Sequence, residues 1–117
     1  MAQDTLFLLQ HGFTNPSAGP SPYYCSECAV LEGLLVYHPE LNKHLDVKRI
    51  AFPRPRPAIV ELLGPELQSA PVLMVGEDGA NSTVIEISPV TKRRYVSGLK
   101  AIAEYLASTY GVTRLHP

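Results

Sequence analysis

Two cysteines three positions apart are the residues of this chain best suited to chemistry. Cys25 and Cys28 enclose Ser26 and Glu27, and the chain has no other cysteine. The pair follows a stretch rich in proline and glycine and precedes apolar residues at helical spacing, so it falls where a loop becomes a helix. A C-x-x-C pair between the pieces of a βαβ unit is typical of a redox motif.

The position of each cysteine suggests a separate role. A helix N-terminus favours a thiolate, because its unpaired N–H groups and the helix dipole stabilise negative charge. We therefore expect Cys25 to be the exposed nucleophile, and Cys28, one turn later, to be more buried and to resolve a mixed disulfide by exchange. Glu27 opposes the thiolate, since a nearby carboxylate disfavours a second negative charge. The alternative is that both cysteines are small apolar residues of the core.

A metal site is a second interpretation of the same cysteines. Together with His38 and His44 they have the ligand order of a structural zinc site. If residues 27–38 form one helix, however, His38 lies about 15 Å from Cys28, much farther than a zinc–nitrogen bond. We therefore expect no metal ligands within one chain. A metal or iron–sulfur cluster shared by two subunits through their thiols is left open.

Three side chains before the motif are further candidates for the site. His11 enters the loop that leads to the cysteines, where it could donate a proton or stabilise a thiolate. A loop histidine bonded to backbone or water is the alternative. Tyr23 and Tyr24 directly precede Cys25 and could line a groove for a peptide or glutathione, or pack over the sheet edge.

A short basic run, Lys92, Arg93 and Arg94, is a candidate for anion binding. We expect this segment to approach the helix N-terminus, where Arg93 and Arg94 could bind a carboxylate or phosphate. A solvated loop is the alternative.

Size, composition and charge exclude several classes of protein. The chain has 117 residues, of which 45% are hydrophobic and 18% charged, and its net charge is −1. These values predict one globular domain, residues 1–117, and give no electrostatic footprint for nucleic acid. The N-terminus lacks a secretory pattern, and the apolar run 6–9 is too short to span a bilayer. We expect a cytoplasmic protein, in which a structural disulfide would be rare.

Hydrophobic spacing predicts the elements that position the motif. Residues 5–10 form an apolar run without a helical period, which predicts a strand buried on both faces. The loop 11–24 is expected to contain neither strand nor helix and to lie over the cysteines. Helical spacing from Cys28 predicts a helix that ends before Pro39. Residues 45–52 predict a second strand.

The second half of the chain begins with a short predicted helix and a hairpin. Pro57 can begin this helix, which Gly64 ends. Residues 69–75 predict a third strand, which a turn at 76–82 joins to a fourth strand over 83–87.

The last third of the chain predicts an irregular segment, 88–96, and a final helix. Ser97 is the expected N-cap of this helix, and Gly111 closes it. The order is thus β-α-β-α-β-β-α, an α/β fold with a central four-stranded mixed sheet and about three helices. Right-handed crossovers place the first two strands parallel and the hairpin antiparallel, so helices must cover both faces of the sheet.

The order of these elements resembles the thioredoxin-like superfamily across nearly the whole chain. The shared features are a strand, a C-x-x-C that opens a helix, a second strand and helix, and a proline directly before a third strand, in Ala70-Pro71-Val72. In that superfamily the proline is cis and faces the active-site thiol. The resemblance therefore implies a cis peptide bond before Pro71 and a substrate groove shaped by Ala70 and Pro71.

The last helix is similar to that in the thioredoxin-like domain of glutathione transferases. Residues 101–106, AIAEYL, follow the A-I-x-x-Y-L pattern of that family. In the transferases a Glu-Ser pair before the pattern contacts the γ-glutamyl group of glutathione. Here those positions are Gly98 and Leu99, whose side chains cannot make these contacts. Glutathione is therefore left open as a ligand, and no other cofactor is expected.

Together these features favour a thiol–disulfide oxidoreductase or a related redox protein that acts on a protein disulfide or a small thiol. We expect no nucleic-acid or membrane partner, and a homodimer is left open. One alternative is a non-catalytic thioredoxin-like module that binds a partner protein or dimerises through the segments 11–24 and 88–96. A weaker alternative is a metal or iron–sulfur carrier that uses the two thiols.

Overall fold

Strands and helices alternate along the computed structural model, which describes residues 3–76 and 82–117. In chain order the elements are β1 (Asp4–Leu9), β2 (Phe13–Asn15), β3 (Gly19–Tyr23), α1 (Ser26–Tyr37), α2 (Leu41–His44), β4 (Leu45–Ile50), α3 (Pro57–Leu63), β5 (Val72–Met74), β6 (Glu86–Ile87), β7 (Arg94–Ser97) and α4 (Leu99–Tyr110). The predicted α/β class is confirmed.

A mixed sheet of five strands forms the centre of the described structure, in the order β4-β1-β5-β7-β6. Strands β1 and β4 are parallel, in register from Asp4 opposite Leu45 to Leu9 opposite Ile50. Strand β5 is antiparallel to β1, and β7 is antiparallel to both β5 and β6. The predicted parallel arrangement of the first two strands of this sheet is therefore confirmed.

Strand β1 is buried on both faces, as its continuous apolar run predicts. Leu6 and Leu8 belong to a core cluster with the apolar faces of α1 and α4. Phe7, which points to the opposite face, belongs to a second cluster with Ile59 and Leu63 of α3. Helices thus cover both faces of the sheet, as predicted, with α1 and α4 together on one face.

Several predicted boundaries agree with the structure. Helix α1 ends at Tyr37, two residues before Pro39, and α3 begins at Pro57 and ends before Gly64. Gly111 closes α4 in the left-handed conformation, with φ 73°. The peptide bond between Ala70 and Pro71 is cis.

The loop before the motif contains a β-hairpin, so the prediction of an irregular segment at 11–24 is wrong. Strand β2 pairs antiparallel with β3 in a separate two-stranded sheet. Pro20 and Pro22 lie in β3 and lack an N–H for a ladder bond. A two-stranded ribbon tolerates them because each strand needs to pair on one side only.

The region after β5 also differs from the prediction. The fourth predicted strand, 83–87, is reduced to the two residues of β6, which pair with β7 and not with β5. Strand β7 begins in the segment 88–96, which the sequence predicts to be irregular, and extends through Ser97. The predicted turn at 76–82 lies mostly outside the described residues. The central sheet therefore has five described strands rather than four.

Two helical features also differ from the prediction. The turn α2 adds a fourth described helix to the three expected. The N-cap of α4 is Gly98, with φ 87°, and not Ser97. Among the described residues, no helix is both long and apolar enough to cross a bilayer.

Candidate functional site

Cys25 is the N-cap of α1 and lies two residues after the end of the hairpin strand β3. Its backbone is extended, with φ −78° and ψ 120°, and its Sγ accepts a hydrogen bond from the backbone N–H of Cys28 at 3.2 Å. The side chain is half-buried. A thiolate at this position would accept a charge-assisted hydrogen bond from the same N–H. The backbone therefore already offers a donor to the reactive form of Cys25.

Cys28 lies one turn further into α1 and is 3% exposed. Its Sγ accepts the backbone N–H of Leu9, at the end of β1, at 3.5 Å. Burial, followed by the hydrogen bond with Cys25, raises the pKa of Cys28 to about 12. Both cysteines are free thiols, and at neutral pH the buried one is protonated. The two thiols therefore differ in access, as the sequence predicts.

Cys25 opens onto a groove that we call the proline-side groove. It contains the predicted residues Ala70 and Pro71, so the structure brings them together with the thiol. The residues lining it are Leu9, Phe13, Cys25, Ser26, Glu27, Phe52, Ser69, Ala70, Pro71, Ser97 and Gly98. Its walls come from β1, the hairpin, both helix N-termini on this face and the loops that precede α3 and β5.

A second depression, which we call the histidine-side groove, also borders Cys25. It is lined by Leu9, His11, Tyr24, Cys25, Cys28, Ala29 and Glu32. His11 is exposed and Tyr24 is 69% exposed, so the structure brings both predicted residues to the thiol pair. Glu32 accepts two hydrogen bonds from Arg49 of β4, at 2.7 and 2.8 Å. This bonding lowers the pKa of Glu32, which is therefore a paired carboxylate at neutral pH.

Three predicted site residues lie elsewhere. Tyr23 is half-buried in β3, with its ring centroid 6.5 Å from that of Phe13, and it lines neither groove. Arg93 and Arg94 precede and begin β7, whose other end, Ser97, reaches the proline-side groove. Three residues of extended strand span about 10 Å, so the structure does not bring this basic run to the N-terminus of α1.

Glu27 has a structural role that the sequence does not reveal. Its Oε1 accepts the backbone N–H of Leu99, the first residue of α4, at 2.9 Å. Gly98 has no side chain to cap α4, and a carboxylate from α1 supplies the acceptor instead. The negative charge of Glu27 is thus held at a helix N-terminus, where the dipole favours it. The one related signal in the sequence is Gly98, which has no side chain that could cap α4 itself.

An aromatic stack forms one wall of the proline-side groove. The rings of Phe13 and Phe52 are parallel within 2°, with centroids 4.3 Å apart. The guanidinium carbon of Arg56 lies 5.5 Å from the centroid of Phe52. The sequence gives no signal for this stack, because it joins the hairpin to the loop after β4, segments far apart along the chain.

His38, one of the two histidines in the zinc-like ligand order, contacts other residues. His38 is the C-cap of α1, and its ring nitrogens lie 2.9 Å from Thr113 Oγ1 and 3.2 Å from Glu40 Oε1. Because α1 is continuous, His38 lies about 15 Å from Cys28. Within 3–76 and 82–117 no group of three or more His, Cys, Asp and Glu residues is arranged to hold a metal ion.

Fold and site together define an α/β protein that carries a dithiol at the N-terminus of a helix packed on its sheet. The chain belongs to the family described as "Protein of unknown function (DUF3088)", whose family model matches residues 3–114. The matched region includes both cysteines, Pro71 and the contact between Glu27 and Leu99. Neither a curated protein nor a solved structure gives a significant match.

Proposed function

We propose that the protein is a thiol–disulfide oxidoreductase of thioredoxin-like architecture, with Cys25 as the nucleophile and Cys28 as the resolving thiol. The observation that carries the proposal is the position of Cys25 Sγ. It is partly exposed at the start of α1, accepts the N–H of Cys28 and shares a groove with Pro71. The parallel pair β1–β4, with β5 antiparallel to β1, supports the architecture.

The reaction passes two electrons from the dithiol to a substrate disulfide. The Cys25 thiolate attacks one sulfur of the substrate, forms a mixed disulfide and releases the other substrate sulfur as a thiolate. Cys28 then attacks Cys25 Sγ, which forms the Cys25–Cys28 disulfide and releases the second substrate thiolate. An external thiol reductant, such as glutathione or a protein dithiol, restores the reduced pair.

The raised pKa of Cys28 fits the second step of this cycle. Burial is its main cause, but the hydrogen bond and charge interaction with Cys25 also contribute. When Cys25 is part of a mixed disulfide its sulfur carries no charge and is a poorer acceptor for the Cys28 S–H. Cys28 therefore loses its proton more readily in the mixed disulfide than in the free dithiol, and the released substrate thiolate can accept the proton.

The first test is site-resolved alkylation of the reduced protein at pH 7. We expect iodoacetamide to modify Cys25 and leave Cys28 unmodified, because Cys28 is buried and protonated. Mild oxidation should then give an intramolecular disulfide that dithiothreitol reverses. If both thiols resist alkylation in the folded protein, the proposal is wrong.

The second test is a disulfide reductase assay with insulin as substrate. We expect activity in the wild type and none in Cys25→Ser, while Cys28→Ser should accumulate a mixed disulfide through Cys25. Parallel assays with glutathione and with a protein dithiol reductant would show which class of thiol recycles the pair. Absorption spectra and metal analysis of the purified protein test the carrier alternative.

A partner-binding module is the second candidate, and the exposed apolar side chains support it. Val36 and Tyr37, at the end of α1, are 77% and 78% exposed. Ile87 and Val90, at the β6 edge of the central sheet, are 60% and 66% exposed. Equal, negligible reductase activity in the wild type and Cys25→Ser would favour this function.

A further inference from the structure

Arg56 is a buried cation behind the wall of the proline-side groove. It is 6% exposed and is the last residue before α3. Its Nε and Nη2 donate to the carbonyl oxygen of Phe52 at 2.9 and 2.7 Å, and its Nη1 donates to that of Gln68 at 2.8 Å. These bonds clamp the loop after β4 to the loop that leads to Pro71.

No carboxylate in the described part of the chain is paired with the charge of Arg56. None of the ion pairs formed among residues 3–76 and 82–117 includes Arg56, and the hydrogen-bond partners of its guanidinium are neutral carbonyl groups. Buried charges in proteins are usually paired, because removing an ion from water is costly. A buried guanidinium beside a dithiol therefore suggests that an anion forms nearby during function.

The anion that the structure offers is a cysteine thiolate. The Arg56 guanidinium stacks on the Phe52 ring, and that ring lines the same groove as Cys25. Burial and then the nearby Arg54 lower the pKa of Arg56, while its charge interactions with Cys28 and Cys25 act in the opposite direction. A positive charge at this position attracts a thiolate that forms in the same groove.

We propose that Arg56 is the positive countercharge of the Cys25 thiolate and that it fixes the groove wall through Phe52. The inference rests on the proposed thiol–disulfide exchange. Arg56 lies behind the Phe52 ring and bonds only backbone carbonyls through its guanidinium. It is therefore a positioning residue that acts through Cys25.

The other charged or titratable groups around Cys25 are either held by partners or exposed. On its own helix, Glu27 is bonded to the Leu99 N–H, and Cys28 is protonated at neutral pH. On the histidine side, Glu32 is paired with Arg49, and His11 is exposed. Among the described groups, Arg56 is thus a buried cation that interacts with the thiols and has no carboxylate partner of its own.

The test compares the pH dependence of Cys25 alkylation in Arg56→Gln with that in the wild type. We expect the midpoint of the profile to rise by about one pH unit, so that the rate at pH 6.5 falls about tenfold. On the alkaline plateau of the two profiles the rates should agree within about twofold, since only thiolate formation has changed.

Two further variants separate charge from structure. Arg56→Lys keeps the charge and should restore most of the rate at pH 6.5. Arg54→Gln removes an exposed charge two residues away and should leave the profile unchanged. An unchanged profile in Arg56→Gln, or an equal loss of rate at all pH values, would overturn the role of Arg56.

A measurement that leaves Arg56 in place covers the case in which its variants do not fold. The Nε–H resonance of Arg56 in the wild type should move as Cys25 ionises and should stay in place over the same pH range in Cys25→Ser. A resonance that does not respond to Cys25 contradicts the inference. If wild-type Cys25 does not react at all, the proposed function itself fails, which distinguishes the two outcomes.

Discussion

Cys25 and Cys28 occupy different environments although only two residues separate them. Cys25 caps α1 and opens onto two grooves, whereas Cys28 points into the core between α1 and β1. The difference arises from helical geometry, since a shift of three residues moves a side chain one turn along the same face. This asymmetry is what a nucleophile and a resolving thiol require.

The buried thiol gives the protein a pH-dependent stability. Unfolding exposes Cys28, whose ordinary pKa of about 8.5 lies below its folded value of about 12. The unfolded chain therefore loses this proton first, and the stabilising effect of the buried neutral thiol is complete below about pH 8 and is lost as pH rises towards 12. In urea denaturation under reducing conditions, ionisation of Cys28 should lower the free energy of unfolding of the wild type by about 1.4 kcal/mol between pH 7.5 and pH 9.5.

The matched control for this prediction is Cys28→Ala, which has no thiol to ionise at that position. Other groups titrate equally in both proteins, so the stability difference between wild type and variant isolates Cys28. We expect the wild type to be more stable at pH 7.5 and its advantage to shrink as pH rises. A difference that is constant from pH 7.5 to pH 9.5 would contradict a raised pKa of Cys28.

Local motifs at the site were predictable from the sequence, whereas contacts between distant segments were not. The C-x-x-C at a helix start and the proline before a strand are local patterns, and the structure brings Cys25, Ala70 and Pro71 together. Arg56 lies in a run of alternating prolines and arginines that carries no sign of burial. Its guanidinium donates to the carbonyl group of Gln68, twelve residues later, a contact that no local pattern announces.

At the level of elements, α1 and α4 are joined at their N-termini. Glu27 of α1 accepts the N–H of Leu99, and Gly98 leaves the start of α4 without a cap of its own. Glu27 and Gly98 both line the proline-side groove, as Cys25 does. A contact that stabilises α4 therefore also fixes the shape of the groove.

Removing the Glu27 carboxylate should therefore weaken α4. Glu27→Ala leaves the first N–H group of α4 without this acceptor, and loss of a capping acceptor typically costs about 1 kcal/mol. We expect a lower melting temperature and faster amide hydrogen exchange in the first turn of α4. The same variant should make Cys25 more reactive near neutral pH, because a carboxylate close to the thiol opposes the thiolate.

Glu27→Gln separates the two effects of this carboxylate. Its amide oxygen can still accept the Leu99 N–H, so most of the lost stability should return. Its charge is absent, so the increase in Cys25 reactivity should remain. If Glu27→Ala leaves exchange at the start of α4 unchanged, the cap does not contribute to the stability of the helix.

The hairpin and β7 are elements that the sequence did not predict, and their packing explains why. Tyr95 and Val96 of β7 are both buried, on opposite faces of the sheet, so the alternation that marks a half-buried strand is missing. The basic residues before them suggest a surface loop. In the hairpin, proline and glycine are turn signals, yet a ribbon outside the central sheet accepts them.

At the scale of the whole molecule, a buried carboxylate far from the cysteines joins three elements. Asp4, at the start of β1, is 3% exposed. Its Oδ1 accepts the N–H of Gly76 at 2.7 Å, and its Oδ2 accepts the hydroxyl groups of Tyr105 and Tyr110 of α4 at 2.7 and 2.6 Å. One side chain thus connects the start of β1, the segment after β5 and the second half of α4.

This cluster should stabilise the fold without affecting the thiol chemistry. Asp4 and Leu9 lie at opposite ends of β1, about 17 Å apart, and Leu9 is the end that contacts Cys28. Asp4→Asn puts an amide N–H₂ where an oxygen accepts hydrogen bonds, so at least one buried donor loses its partner. We expect a loss of about 2–3 kcal/mol in the free energy of unfolding, with Cys25 alkylation unchanged below the melting temperature.

Tyr110→Phe is the matched control, because it removes one of the three donors and leaves the carboxylate with two. Its cost should be smaller, about 1 kcal/mol, and it should likewise leave Cys25 reactivity unchanged. Denaturation and alkylation measured on the same samples would show whether the two ends of β1 act independently. A change in Cys25 reactivity in either variant would mean that the sheet couples the Asp4 cluster to the dithiol, so that local contacts alone could not account for the reactivity of the site.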